Sequence, residues 1–246
     1  MLPAAILLAV FVTSLISGVL GMAGGIILMA ILVTVLSVSS AMIAHGLVQA
    51  TANGSRAIFL RRHIQWSVLP AYLLGASFAT GVFVSLALVP DASMILICIG
   101  LFPWIARVVP SMKGLNITHK RTAVFCGTLV TGAQLFAGAS GPLLDIFYLN
   151  TPLNRYQIIA TKALTQTLGH ILKTIYYTLI VQFSDSLPIW ILILAMTSAV
   201  LGTRVGTRLV DHFSDEQFRK YSASAILVIG TFCLIKGLSG LHFTQY

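Results

Sequence analysis

Gly18-Val19-Leu20-Gly21-Met22-Ala23-Gly24-Gly25 sets four glycines in eight residues, inside a long apolar run. A second stretch, Gly138-Ala139-Ser140-Gly141-Pro142, interrupts another apolar run. Glycine weakens a helix by its backbone freedom, and proline removes an amide donor and blocks the preceding turn. Two such breaks, at corresponding places in two halves, point to a binding site built from discontinuous membrane helices.

The rest of the composition fits a membrane setting. Of 246 residues, 57% are hydrophobic and only 9% are charged, with a mean hydropathy of +0.95. Soluble domains carry about a quarter of their residues as charges, so this is an all-α polytopic membrane protein. Long unbroken apolar runs argue against a β-barrel. No polar stretch is long enough for a separate soluble module. The net charge of +9 lies in short loops between apolar runs. That follows the positive-inside rule rather than implying a nucleic-acid partner. Cys98, Cys126 and Cys233 sit inside apolar runs without metal or disulfide spacing and read as buried thiols. No metal and no cofactor are expected. Met1-Leu2-Pro3 lacks the basic region of a signal peptide and is expected to be retained.

The apolar runs fall at 3–20, 24–37, 39–60, 66–89, 92–109, 120–138, 141–150, 153–183, 187–210 and 216–240. A spanning helix needs about 20 residues, so 24–37 and 141–150 read as half-helices. Basic residues fix the orientation. Arg56, Arg61, Arg62 and His63 end one run; Arg107, Lys113, His119, Lys120 and Arg121 fill the 110–121 connection; Arg204, Arg208, Arg219 and Lys220 flank the 211–216 loop. These loops are expected in the cytoplasm, opposite those carrying Asp91 and Asp185.

Parity then constrains the second half. Runs 153–183 and 187–210 cross once each between an inner loop near 115 and an inner loop near 213. Runs 120–138 and 141–150 must together cross zero times or twice. Ten residues of helix reach only ~15 Å. The pair therefore reads as a re-entrant hairpin from the cytoplasm, tipped at Gly138–Pro142. Symmetry suggests the same for 3–37. Each half is then a hairpin plus three transmembrane helices, in opposite orientation: an inverted repeat. Its limits are 1–110 (hairpin 3–37, helices 39–60, 66–89, 92–109) and 111–246 (hairpin 120–150, helices 153–183, 187–210, 216–240). Both termini are expected outside.

A shift of 117 positions brings Gly21 onto Gly138 and Gly24 onto Gly141. It also brings His45, Gln49, Asn53 and Arg56 onto Lys162, Gln166, His170 and Lys173. Each quartet spans an arc of about 80° on its helix. So each half carries a polar stripe on the helix after its hairpin.

A half-helix starting at depth aims free amides and a positive dipole end at the membrane centre, where they suit an anion. Ala23, Gly24 and Gly25 on one side, and Ser140 and Gly141 on the other, are the candidate backbone and hydroxyl donors. Packing through small residues is the competing reading. Gly75, Gly81, Gly202 and Gly206 are read as packing alone. Lys162 lies ~13 Å into its crossing and is expected to charge the site, or else to pair with Asp145. Gln49 and Gln166 can donate to oxyanion oxygens. His45, His170 and Asp145 are candidates for proton coupling, with Asn53 a weaker member of the same set. Gln134 precedes the second break and faces the cavity. Arg56 and Lys173 read as entrance charges near helix ends. Enzyme motifs such as HExxH, GxSxG or paired CxxC are missing from the sequence.

Gly21-Met22-Ala23-Gly24-Gly25, the weaker Gly138-Ala139-Ser140-Gly141-Pro142 and the two-half layout make the chain resemble the TauE/SafE sulfite exporter family. This is also called the four-toluene-sulfonate uptake permease family. The resemblance spans essentially the whole chain. It implies an eight-helix protein of the cytoplasmic (inner) membrane with glycine-rich motifs in both halves. It implies transport of a small sulfur-containing anion, such as sulfite, thiosulfate or an organosulfonate, with a proton as coupling partner. Pro142 departs from the family pattern, in which a fuller glycine run precedes a later proline. A passive anion channel, an uptake permease of the same fold, a structural membrane subunit and an intramembrane enzyme are the other readings. The oligomeric state stays open.

Overall fold

A computed structural model describes residues 2–20, 23–108, 114–181, 187–209 and 215–243. Gly21 and Met22 lie outside these residues, as do 109–113, the Asp185 loop and 210–214. The side chains of Arg219 and Lys220 are likewise not described.

The described residues form ten α-helices and no strand. In the first half they are α1 (Leu2–Leu20), α2 (Ala23–Val35), α3 (Val38–Phe59), α4 (Leu69–Leu86) and α5 (Ala92–Val108). In the second they are α6 (Lys120–Ala137), α7 (Gly141–Ile146), α8 (Arg155–Leu179), α9 (Ile189–Leu209) and α10 (Asp215–Phe243). Local chemistry sets several of these ends. Ser37 caps α3 by accepting from Ser40 N–H, and Asn154 and Gln157 form a reciprocal capping box on α8. Gly138 ends α6 in the left-handed region (φ 78°) and donates its N–H to Gln134 O.

The second half-helix is shorter than its apolar run. Helix α7 has six residues, ending at Ile146 with turns through Tyr148 and Thr151, where the run 141–150 suggested ten. Ile117 N–H, ahead of α6, donates to Phe147 O, just past α7, at 3.0 Å. The stretch from 117 to 147 therefore starts and ends at the same place.

Packing runs mainly between the halves. The principal interfaces are α1 with α9, α4 with α6, α5 with α10 and α3 with α8. Between helices in lipid the hydrophobic drive is weak, and close approach of small residues supplies the contact. A Cβ on Gly75 or Gly127 would run into the backbone of the facing helix at Val124 O or Tyr72 O. Gly202 and Gly206 lie the same way against Phe11 O and Leu15 O of α1. Gly100 and Gly230 seat α5 on α10 around Pro103. Gly81 is the exception to the packing expectation: nothing lies within 4 Å of a Cβ placed there, because it faces outward from α4.

The surface is apolar, and the buried core, itself mostly apolar, holds a set of polar side chains. Leu74, Phe78, Ile189, Val228 and Phe232 are all more than half exposed, while His45, Gln49, Asn53, Gln134, His170 and Lys173 are buried. Exposed apolar area on this scale marks a surface that meets lipid. Trp66–Leu86 and Ile189–Gly206 have the length and hydropathy of a membrane span on their own. Helices α3 and α8, with 22 and 25 residues, have the length. Their buried polar stripes lower their hydropathy.

Candidate functional site

Three helical turns of α3 carry His45, Gln49 and Asn53 at i, i+4 and i+8, and α8 carries Gln166 and His170 in the same relation. Spacing of four keeps each set on one face. The α3–α8 interface turns these faces toward each other, and the two breaks close the ends. The result is a small, half-open cleft. Its lining comprises Ser17, Gly25 and Ile26 from the first break, His45, Gln49 and Asn53 from α3, Ala139, Ser140 and Gly141 from the second break, and Gln166 and His170 from α8. It lies halfway along both long helices.

Several polar atoms here have spare capacity. Asn53 Nδ2 donates to Gln49 O (3.0 Å) and Oε1 (3.4 Å), while Gln49 Nε2 is buried with no partner among the described residues. His170 Nδ1 is likewise unpartnered, and its ring lies 5.3 Å from that of His45. Ser140 Oγ donates to Gln134 Oε1 (2.9 Å), leaving Gln134 Nε2 without a partner. A buried donor without an acceptor costs about 1–3 kcal/mol. A ligand oxygen at this point recovers that energy.

Two basic side chains lie behind the cleft. Lys173 Nζ, fully buried, donates to Gly138 O (2.9 Å) at the second break and to His45 Nδ1 (2.8 Å) across the α3–α8 interface. Because His45 Nδ1 accepts, its hydrogen is on Nε2, which donates to Gly25 O at the first break (2.8 Å). One chain of hydrogen bonds thus joins both breaks. Arg56 Nη2 donates to Ser17 O, near the end of α1 (3.2 Å). Each cation satisfies a carbonyl at the end of the first arm of its own half. Their expected place at the entrances is therefore corrected. Arg56 is 8% exposed and Lys173 0%, because helical backbone ends deep in the protein need donors that water does not supply there.

The predicted site residues fall into two groups. Gly25, Gln49, Ser140, Gly141 and Gln166 meet in the cleft, with His45, Asn53 and His170. Ala23, Gly24, Lys162 and Asp145 are not part of this lining. Ala23 is in the core. Gly24 lies against α1, where a Cβ would collide with Thr13 O and Ser17. Lys162 forms an ion pair with Asp145, side chains 17% and 25% exposed. Sequence reasoning did not single out Ser17, Ile26 or Ala139, whose small or apolar side chains carry no chemical signature. It named Lys173 but not its position. The one available signal was that Lys173 shares the buried stripe with Gln166 and His170.

A lining of amides, imidazoles, hydroxyls and backbone, with a buried arginine and a buried lysine behind it and no carboxylate among the described residues that face it, suits a small oxyanion. Neither the comparison with curated proteins nor that with solved structures gave a match. The family described as Sulfite exporter TauE/SafE matches residues 6–233. That match takes in both breaks, both polar stripes and every cleft residue, and the chain belongs to the TauE/SafE sulfite exporter family, a family of membrane transporters.

Proposed function

We propose that the protein exports a small sulfur-containing anion, such as sulfite, thiosulfate or an organosulfonate, across the cytoplasmic membrane. The observation that carries this is the cleft itself: an unpartnered donor at Gln49, the Ser140 hydroxyl, two imidazoles, and a buried lysine behind His45. Gly25, Gln49, Ser140, Gly141 and Gln166 bind the oxygens. Lys162 is already neutralised by Asp145, so the positive charge near the anion comes from Lys173 and Arg56.

The mechanism in this proposal is alternating access between two inverted repeats, 1–110 and 111–246. Exchange of α1–α5 with α6–α10 supports it. The exchange turns the α1–α9 interface into α6–α4, and returns α3–α8 and α5–α10 to themselves. The matched roles of Arg56 and Lys173, 117 positions apart, support it too. The Ile117–Phe147 hydrogen bond supports a re-entrant second hairpin, entering and leaving on one side. With three crossings per half, both ends of the chain then lie outside. Export is proton-coupled in this reading, and the titratable groups nearest the anion are His45 and His170.

The test is a thermal-stabilisation screen of the purified protein with sulfite, sulfate, thiosulfate, sulfonates and carboxylates, followed by flux in liposomes. Stabilisation by a sulfur anion and its accumulation against a gradient are expected. A carboxylate or a cation as the best ligand overturns the substrate class. Flux that never concentrates the anion assigns the protein as a channel. Uptake that survives collapse of the proton gradient removes the coupling.

A further inference from the structure

The hydrogen-bond chain between the two breaks closes without any charge on its side chains. Gly138 O and His45 Nδ1 are both acceptors, and both take a hydrogen from Lys173 Nζ. A neutral amine has two N–H groups and an ammonium has three. The neutral amine is therefore fully used by its two acceptors. His45 offers nothing more, since its other nitrogen donates to Gly25 O. The chain from Gly138 O through Lys173 and His45 to Gly25 O is complete with both side chains uncharged.

An extra proton on Lys173 changes this. It creates a third N–H and a cation in a fully buried site. The groups around it do not balance that charge. From α3 comes His45; from α8 itself come His170 and, a turn on, the neutral hydroxyls of Tyr176 and Tyr177; from α6 comes the amide Gln134. The carboxylate of Asp145 is held by Lys162, and Asp91 stands at the start of α5. A buried charge without a partner is costly, and that cost disappears when a counter-charge arrives. The cleft lies one imidazole away, on the other side of His45.

Resting on the transport reading, we propose that Lys173 is the proton-carrying residue of the cycle. It takes one proton from water on the side where the anion enters the cleft and returns it to water on the side where the anion leaves. A new N–H bond forms at Nζ on binding and breaks on release, so one anion moves with one proton. His45 positions Lys173 and ties the event to the first break.

The experiment counts protons. Purified full-length protein in weakly buffered detergent solution is titrated with thiosulfate, which takes up no proton near neutral pH, and with sulfite, whose own protonation is subtracted. A pH dye reads the uptake. The expected result is about one proton per bound anion, with affinity falling about tenfold per pH unit above the uptake midpoint. Lys173→Arg, permanently charged, is expected to bind with no uptake and a flat pH profile. Anion binding to the wild type without proton uptake overturns the inference and leaves the transport reading standing. So does uptake in Lys173→Arg equal to that of the wild type. If the arginine variant does not fold, the wild-type count decides. If neither anion binds the wild type, the transport reading fails first and this inference with it.

Discussion

The two breaks do the same structural job with different chemistry. At the first, an arginine donates to Ser17 O; at the second, a lysine donates to Gly138 O. Arginine stays charged in any protein, whereas lysine can lose its proton. Only the lysine is also tied to the opposite half, through His45. The breaks differ in length as well, since α2 has 13 residues and α7 has six. The first break is a permanent cap on a long arm. The second is a short arm whose cap can change charge.

The largest expected effect comes from removing the two cations one at a time. Lys173→Met leaves Gly138 O and His45 Nδ1 without a donor, at about 1–3 kcal/mol each. Transport in liposomes should fall at least about a hundredfold, the factor that matches ~3 kcal/mol. Arg56→Met strips one carbonyl rather than two and should cost less stability in detergent melts. Equal losses in the two variants erase the asymmetry.

Next come the glycines at the tips. Gly138→Ala faces both a left-handed backbone, about 1–2 kcal/mol, and contact with the Met29 and Met42 sulfurs at 2.6 and 2.9 Å. Overpacking adds about 1–3 kcal/mol. Gly24→Ala has no left-handed strain but runs into the Thr13 carbonyl and Ser17 backbone of α1, which cannot swing aside as the methionine ends can. Gly25→Ala finds Gln49 at an ordinary 3.6 Å, so its stability should hold while the cleft narrows. A melting temperature for Gly25→Ala above those of both Gly24→Ala and Gly138→Ala sharpens the comparison; Gly25→Ala as the least stable of the three breaks it.

A smaller effect separates the cleft from its surroundings. Gln49→Leu removes an unpartnered donor and should weaken anion binding about tenfold, the equivalent of ~1.4 kcal/mol. The double variant Lys162→Ala, Asp145→Ala removes a partly exposed pair together. It should change anion affinity less than threefold, because partly exposed pairs contribute about 0–1 kcal/mol. A larger loss in the pair than in Gln49→Leu returns Lys162 to the site. The smallest effect is expected at Gly81, where alanine meets open space and should raise helix stability by up to about 1 kcal/mol.

The helices were legible because their signal is local. Apolar length, glycine interruption and capping residues act within a few positions, so the ten runs and the ten helices agree to within a few residues, apart from α7 and the last turn of α8. The same holds for the stripes, since spacing of four puts His45, Gln49 and Asn53 on one face whatever that face meets. Small residues were harder. Gly24 and Gly25 look alike in sequence, yet one is pressed on α1 and the other opens on the cleft. The difference is a turn of 100° on a helix whose neighbours are distant in the chain.

By itself, the sequence determined an all-helical membrane protein with two broken segments, two polar faces on its long helices and a single acid, Asp145, in its deep segments. Periodicity and composition suffice for those. Only the tertiary structure decided the partners. Lys162 lies 17 residues from Asp145 and pairs with it; Lys173 reaches back 35 residues to Gly138 and 128 to His45. A lysine's long stem can satisfy any acceptor within its radius, and which one it finds depends on how α3, α6 and α8 pack. That packing, rather than any local signal, put one lysine in an ion pair and the other at the junction of both breaks.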